Sequence, residues 1–199
     1  MVVGLTGGIG SGKTTVAKLF KNFDTVAVYI ADIEAKKLMN SSNVIRTKLI
    51  KEFGKETYQD NQLNRPYLAN VVFNDKEKLH VLNSIVHPEV RKHFQEFVQL
   101  HIKKAYIIYE SAILFESNSQ QQFNFVISVY VDLEERIKRI LERDNSTKQE
   151  VLNRINNQWK EDKKLLLSNY VINNYSLQET SNSVENIHNI LTQKACSIL

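Results

Sequence analysis

A chain of 199 residues with 26 lysines and arginines against 22 aspartates and glutamates carries a formal charge of +4. That length suits one α/β domain. The excess of positive charge is modest and evenly spread, which favours an anionic metabolite as ligand. It excludes a nucleic-acid partner, since a protein that binds nucleic acid needs a dense basic stripe. The single cysteine, Cys196, excludes an intramolecular disulfide. With no signal peptide and no apolar run of membrane-spanning length, the sequence predicts a cytoplasmic protein without a membrane partner.

The first strand is predicted at 2–6, and it leads into a glycine-rich loop. Five of the six glycines fall within the first twelve residues, and residues 7–14 fit the pattern G-x-x-x-x-G-K-[ST]. Glycine lets the backbone approach an anion closely, and the N-terminus of the helix that follows favours phosphate. The loop therefore predicts a nucleotide site. The alternative is a glycine-rich turn that merely precedes a helix.

Seven residues of this segment are predicted to bind the nucleotide: Gly8, Gly10, Ser11, Gly12, Lys13, Thr14 and Thr15. Lys13 is expected to reach the β- and γ-phosphate oxygens, and the hydroxyl of Thr14 is expected to ligate Mg²⁺. Thr15 is expected to contact a phosphate nearer the ribose.

A second strand is predicted at 26–30, and Asp32 follows it. In an open parallel sheet, ligands bind beyond the carboxyl ends of the strands, so we expect Asp32 to face the same crevice as the loop. A carboxylate there can take the proton from an attacking hydroxyl group. The alternative role is an N-cap for the next helix, and one residue can fill both roles.

About 75 residues separate the second strand from the third, far more than a usual crossover. Helices are predicted in this stretch near 33–40, 43–53, 66–73, 75–85 and 89–103. Pro66 and Pro88 each stand where a helix can begin, so both are predicted as first-turn residues. Three more strands are predicted at 105–109, 125–131 and 170–172, each a short run like those of buried parallel sheets.

Three arginines share one face of the helix predicted after the fourth strand: Arg136, Arg139 and Arg143. Phosphoryl-transfer enzymes bring such arginines over the nucleotide on a mobile lid. The alternative is a solvent-exposed face held by pairs of opposite charge four residues apart. Arg139 and Arg143 are the preferred candidates for nucleotide contacts.

The five histidines show no metal-binding spacing such as H-E-x-x-H. His87, before Pro88, is expected either to contact a substrate or to cap the following helix. Trp159 is predicted to pack in the core rather than to stack on a base.

The loop and Asp32 belong to a longer series of segments that closely resembles the dephospho-coenzyme A kinases, the P-loop enzymes that complete coenzyme A synthesis. The matching segments run in order from residue 2 to about residue 174: the loop at 4–15, Ile30-Ala31-Asp32, Leu63-Asn64-Arg65, Leu82-Asn83-Ser84-Ile85-Val86-His87-Pro88, Leu114-Phe115-Glu116, Arg139 with Arg143-Asp144, Arg154, Gln158 and Val171-Ile172-Asn173-Asn174. The loop alone is shared by many kinases, whereas the run at 82–88 is far more discriminating.

This resemblance implies a three-layer P-loop NTPase fold with a five-stranded parallel sheet. It implies a single kinase domain over 1–199, with an acceptor-binding helical insertion at about 32–103 and a lid at about 136–160. The implied reaction transfers the γ-phosphoryl group of ATP to the ribose 3′-hydroxyl of dephospho-coenzyme A, with Mg²⁺ as cofactor.

The resemblance also assigns roles to residues. Asp32, Lys13 and Arg139 are the implied catalytic residues, with Asp32 as general base. Arg65 and His87, with Asp32, are the implied acceptor contacts. Arg139 and Arg143 are implied to bind the nucleotide.

Two segments depart from the family pattern. Glu110 stands where the family usually has aspartate, and Ala112 replaces a proline, so Glu110 is only a possible Mg²⁺ contact through water. Asn169 replaces an aspartate near the adenine side, where we expect a changed contact and an unchanged reaction.

Two other functions compete with this one. A nucleoside or nucleotide monophosphate kinase shares the loop and the lid. A nucleotide-dependent switch protein of the GTPase kind needs a guanine-reading Asn-Lys-x-Asp segment, and the sequence has none. The expected assembly is a monomer or a small homo-oligomer.

Overall fold

A computed structural model describes residues 1–73, 75–144 and 146–197 of the chain. These residues form two compact units. One unit combines Met1–Ile30 with the chain from His101 onward, and it holds a parallel sheet. The other unit is Ala31–Leu100, and it is mostly helical.

Strands and α-helices account for most of the described chain. The strands are β1 (Val2–Thr6), β2 (Val26–Ile30), β3 (Tyr58–Gln59), β4 (Gln62–Leu63), β5 (Tyr106–Glu110), β6 (Phe125–Tyr130) and β7 (Tyr170–Asn173). The α-helices are α1 (Lys13–Lys21), α2 (Ala31–Ser41), α3 (Asn43–Phe53), α4 (Arg65–Phe73), α5 (Lys76–Leu100), α6 (Leu133–Arg143), α7 (Lys148–Asn156), α8 (Glu161–Leu166) and α9 (Leu177–Cys196). In the described ranges, no helix combines the length and apolar character that a membrane crossing requires.

Five parallel strands form the main sheet in the order β2-β5-β1-β6-β7. β1, β2, β5 and β6 are short apolar runs with buried residues on both faces, as parallel strands usually are, whereas β7 has one buried residue, Ile172. The predicted α/β class and its five parallel strands are therefore confirmed. The bounds of the last three strands differ from the prediction by one residue.

Helices α1 and α9 pack on one face of this sheet. Their buried apolar side chains join those of β1 in one core that includes Leu5, Val16, Phe20, Val184 and Leu191. Side chains alternate along a strand, so Gly4 faces the opposite side, where the side chains of Leu114 and Phe123 approach it closely. The sheet is therefore the middle layer. The glycine-rich loop follows directly after β1, the central strand of the sheet.

In the second unit, α5 is the central helix and contacts α2, α3 and α4. Buried apolar residues of α3, α4 and α5 fill its core: Ile45, Leu49, Phe53, Leu68, Ile85, Val86 and Val90. Strands β3 and β4 form a small antiparallel hairpin. Its turn residues Asp60 and Asn61 have positive φ, which these two residue types tolerate.

Pro88 lies inside α5, so the prediction of separate helices at 75–85 and 89–103 is wrong. Proline removes a backbone donor and disfavours helical geometry at the preceding residue, which is why the sequence favoured a boundary there. Residues before and after it, among them Val86 and Val90, are buried on the same helix. Burial of these residues offsets the hydrogen bond that Pro88 removes. His87 therefore lies inside α5 and does not cap a helix. Pro66, by contrast, is the second residue of α4, as predicted.

Candidate active site

The glycine-rich loop joins β1 to α1 through residues with left-handed backbone geometry. Gly10 and Gly12 have φ of 85° and 86°. A side chain at Gly12 would also overlap the side-chain amide of Asn174, so both the backbone conformation and the available space demand glycine. The Ser11 N–H donates to the Gly8 carbonyl at 3.0 Å, which closes the turn.

Helix α1 begins at Lys13, directly after the loop, with Thr14 and Thr15 exposed in its first turn. The first N–H groups of a helix lack partners within it and carry partial positive charge, and this first turn contains no acidic residue. The strand, loop and helix order that the sequence predicted is confirmed. Such an N-terminus favours an anion such as phosphate.

Lys13 lies beside a buried carboxylate at the end of a neighbouring strand. Its Nζ atom is 3.9 Å from Oε1 of Glu110, and the two side chains are 11% and 3% exposed. Glu110 ends β5 and pairs in register with Leu5, two residues before the loop. The carboxylate therefore balances part of the lysine charge where solvent screening is weak.

Two side chains that are distant in sequence hold the peptide groups of Ile9. Arg136 Nε donates to the Ile9 carbonyl at 2.8 Å, and the Ile9 N–H donates to Gln158 Oε1 at 2.9 Å. The Arg136 side chain is 3% exposed and forms an ion pair with Glu161, with NH1 3.2 Å from Oε1. Helix α6 and the residues before α8 thus contact the tip of the loop.

Asn174, the residue after β7, holds the loop at a second point. Its Nδ2 atom donates to the Ser11 carbonyl at 2.8 Å, and its Oδ1 atom accepts from Thr180 Oγ1 at 2.9 Å. The side chain is buried, so neither bond competes freely with water. The carboxyl end of β7 therefore shapes the loop that follows β1.

We expect Asn174→Ala to lower the free energy of unfolding by about 1–3 kcal/mol, because the buried Ser11 carbonyl loses its donor. ATP binding should weaken as well, since the loop loses one of its supports. Chemical denaturation and calorimetric titration with ATP measure the two effects. Asn173→Ala, at the exposed neighbouring position, is the matched control, with an expected change within about 0.5 kcal/mol. Equal values for the two variants would contradict the role assigned to Asn174.

Lys164 and Glu116 form a buried ion pair next to the segment that contains Gln158. Lys164 is 0% exposed, with Nζ 2.9 Å from Glu116 Oε1, and the same oxygen accepts from the Trp159 N–H at 2.8 Å. The Trp159 ring stacks on Phe115 with ring centroids 6.2 Å apart, so the predicted packing role of Trp159 is confirmed. These contacts anchor the residues that reach the loop.

Comparison with known proteins identifies the family. The family model for dephospho-CoA kinase matches residues 1–179 of the chain. The chain belongs to the dephospho-CoA kinase family. The dephospho-CoA kinase of Bacteroides fragilis is 36% identical over 172 residues, which cover 86% of this chain and 83% of that protein.

Solved structures share the fold of this chain. The crystal structure of TT1252 from Thermus thermophilus superposes with a TM-score of 0.82 at 29% identity, covering 97% of both chains. A dephospho-CoA kinase from Campylobacter jejuni matches with a TM-score of 0.64 at 23% identity, covering 96% of this chain and 97% of that one, and supports the fold alone. The predicted P-loop kinase fold is confirmed.

Arg139, which the family resemblance places over the nucleotide, lies next to the loop. Its NH1 atom is 3.6 Å from the position that a Cβ on Gly12 would occupy, and NH2 donates to the Asn174 carbonyl at 2.9 Å. Its Nε atom also pairs with Glu135 at 2.8 Å, four residues earlier. Arg139 thus lies beside the loop and also forms the charge pair expected of a solvent-exposed helix face.

The side chain of Arg143 forms its ion pair with a residue outside the loop. It is 64% exposed and pairs with Asp144, whose carboxylate also binds Arg154. Hydrogen bonds from Arg143 hold the pKa of Asp144 below its usual value. The hydrogen bonds of Arg143 go to Asp144, whereas Arg136 donates one to the loop residue Ile9. Helical spacing predicts that all three arginines share one face. It does not indicate that Arg136 is the one that contacts the loop.

Asp32 lies in the first turn of α2, which begins at Ala31 directly after β2. Its side chain is exposed and makes no hydrogen bond or ion pair with any described residue. The N-cap alternative therefore fails. A carboxylate without protein partners is available to a ligand.

Arg65 and His87, the other predicted acceptor contacts, belong to the same helical unit as Asp32. Arg65 is the first residue of α4 and lines a cavity of about 600 Å³. The other residues around this cavity are Asn40, Asn61, Gln62, Leu63 and Pro66. The His87 side chain is exposed on α5, where partial desolvation first and the Arg91 charge second lower its pKa.

The two departures from the family pattern have defined contacts. The Ala112 carbonyl accepts from Lys164 Nζ at 3.4 Å and from Gln158 Nε2 at 3.5 Å. Asn169 Oδ1 accepts from the Val126 N–H at 2.8 Å, and the Asn169 N–H donates to the Val126 carbonyl at 2.9 Å. The side-chain amide at 169 therefore extends the pairing between β6 and the segment before β7.

Proposed function

We propose that this chain transfers the γ-phosphoryl group of ATP to the ribose 3′-hydroxyl of dephospho-coenzyme A. The observation that carries the proposal is the loop at 7–14, with left-handed glycines leading into the N-terminus of α1, in a chain of the dephospho-CoA kinase family. Membership in that family favours dephospho-coenzyme A as the acceptor.

On the donor side, the loop N–H groups and Lys13 hold the phosphates. Bound Mg²⁺ would neutralise charge on the β- and γ-phosphate oxygens. The described residues contain no cluster of three or more histidine, cysteine or acidic side chains able to hold a metal. This fits Mg²⁺, which usually binds through one or two protein oxygens, phosphates and water. The Thr14 hydroxyl is the proposed protein ligand, and Glu110 is the proposed contact through water.

The remaining nucleotide contacts come from loop residues and from α6. Gly8, Gly10, Ser11, Gly12 and Thr15 contribute backbone or hydroxyl donors around the phosphates. Arg139 stabilises the charge that develops on the transferred group, and its place beside Gly12 supports this role. Arg143 binds the nucleotide only after exchanging its present partner, Asp144.

The acceptor is bound by the helical insertion at about 32–103. In this proposal, Asp32 orients the 3′-hydroxyl and accepts its proton as the oxygen attacks the γ-phosphorus in line with the leaving ADP oxygen. Arg65 and His87 contact the acceptor. The segment at about 136–160 acts as a lid, and the kinase is one functional domain over 1–199.

An acceptor assay tests the proposal directly. The protein is incubated with ATP, Mg²⁺ and either dephospho-coenzyme A or a panel of nucleosides and nucleoside monophosphates, and the products are identified by mass. We expect coenzyme A to form, and no product when EDTA replaces Mg²⁺. Phosphorylation of a panel member alone would assign a nucleotide kinase. Tight GTP binding without a phosphorylated acceptor would assign a switch protein.

The cellular setting follows from the same proposal. We infer a cytoplasmic enzyme that acts on small molecules, as a monomer or a small homo-oligomer, with no nucleic-acid or membrane partner. The exposed free thiol of Cys196 supports a reducing compartment.

A further inference from the structure

Arg136 is buried against the glycine-rich loop, although sequence reasoning gave preference to two other arginines. A Cβ built on Gly8 would overlap its guanidinium group. A Cβ built on Gly10 would lie 2.7 Å from its backbone carbonyl oxygen. The residue therefore packs against both neighbours of Ile9. Gly10 also has a φ of +85°, so this position requires glycine, and a side chain at Gly8 would displace the guanidinium.

The hydrogen bonds in this contact hold one residue from both ends. Arg136 Nε donates to the Ile9 carbonyl, and Gln158 Oε1 accepts from the Ile9 N–H. Both partners lie more than 120 residues away in the sequence. A loop rich in glycine has many accessible backbone conformations, so these bonds restrict it where its own residues do not.

The charge of Arg136 is largely balanced within the protein. Burial lowers the pKa of its guanidinium group, and the Glu161 carboxylate acts in the opposite direction. The ion pair with Glu161 at 3.2 Å therefore neutralises the cation where it lies. Apart from this packing, Arg136 acts on the loop through the directional hydrogen bond from Nε.

We propose that Arg136 is a positioning residue for the nucleotide: its Nε–H bond to the Ile9 carbonyl fixes the loop so that the following N–H groups converge on the phosphates. Glu161 holds the guanidinium in place and balances its charge. The inference rests on the proposed nucleotide site. It concerns ATP binding and makes no use of the acceptor.

A matched pair of variants isolates this hydrogen bond. Glutamine places Nε2 at the same number of bonds from the backbone as arginine Nε, whereas methionine has equal length and no donor. In the Glu161→Gln background, which leaves no unpaired carboxylate, R136Q keeps the donor and R136M removes it. We expect R136M/E161Q to bind ATP about tenfold more weakly than R136Q/E161Q, the loss expected for one hydrogen bond.

Adenosine is the control ligand because it lacks phosphates. Its affinity should be the same in both double variants, which calorimetric titration measures together with thermal unfolding. Equal ATP affinity in the two variants, or an equal loss of ATP and adenosine affinity, overturns the positioning role. The outcome is independent of dephospho-coenzyme A, so it stands apart from the acceptor assay.

A second variant covers the case in which R136M/E161Q does not fold. Arg136→Lys alone keeps the buried charge and its pairing with Glu161, but it has no donor at the position of Nε. We expect about tenfold weaker ATP binding with unchanged adenosine binding. Wild-type ATP affinity in this variant would show that charge, and not the hydrogen bond, holds the loop.

Discussion

The variant Asp32→Asn is expected to lower kcat by about 10²- to 10⁴-fold, the usual contribution of a positioned general base. Asparagine has nearly the same size but cannot accept the proton of the attacking hydroxyl. Asp32 is exposed and has no partner among the described residues, so the fold should be unaffected. Steady-state kinetics and ATP titration should therefore show a loss confined to turnover, with ATP affinity nearly intact.

Glu34→Gln is the matched control for this experiment. Glu34 lies in the same first turn of α2 and forms an exposed pair with Lys37. The change removes the same charge from the same part of the helix, and we expect it to leave kcat within about twofold, since exposed pairs contribute little. Wild-type turnover in Asp32→Asn would place the base at another residue. An equal loss in both variants would indicate a general electrostatic effect.

The variant Lys164→Met is expected to lower the free energy of unfolding by about 3–5 kcal/mol, the usual cost of breaking a buried ion pair. Lys164 is fully buried, and its removal leaves the Glu116 carboxylate without a cation. Methionine fills most of the vacated volume, so the effect reports the unpaired charge and not a cavity. Denaturation with urea, followed by circular dichroism, measures it.

Two controls separate charge from packing. In Glu116→Gln/Lys164→Met the carboxylate is also gone, while the glutamine oxygen still accepts from Trp159, so most of the lost stability should return. Lys163→Met removes an exposed lysine whose Nζ lies 3.4 Å from the Trp159 ring centroid, and should cost about 0.5–1 kcal/mol. If Lys164→Met costs no more than Lys163→Met, the ion pair contributes nothing to stability.

The elements that depend on local pattern were predictable from the sequence. β1 and β2 are continuous apolar runs, and their bounds match the prediction. The loop is recognisable because glycine spacing and the lysine at its end are local features. Pro88 shows the limit of local rules, since proline indicates a boundary but burial of Val86 and Val90 carries the helix through it.

The residues that support the loop could not be ranked from the sequence. Arg136 reaches Ile9 across 127 positions, and its helical face is shared with Arg139 and Arg143. Spacing identifies a face but not the element that the face meets. The sequence also holds no signal that pairs Lys164 with Glu116. Such contacts follow only from tertiary packing.

The support of Ser11 by Asn174 has a consequence for how the protein is made. The loop lies at the start of the chain, yet 163 positions separate these two residues. At roughly 5–20 residues per second, the ribosome needs about 8–33 seconds to synthesise that interval. The loop of the nascent chain therefore lacks its contact with Asn174 until the last strand of the sheet has been synthesised. A chain released early, before Asn174, should carry the complete phosphate-binding motif and still fail to bind ATP.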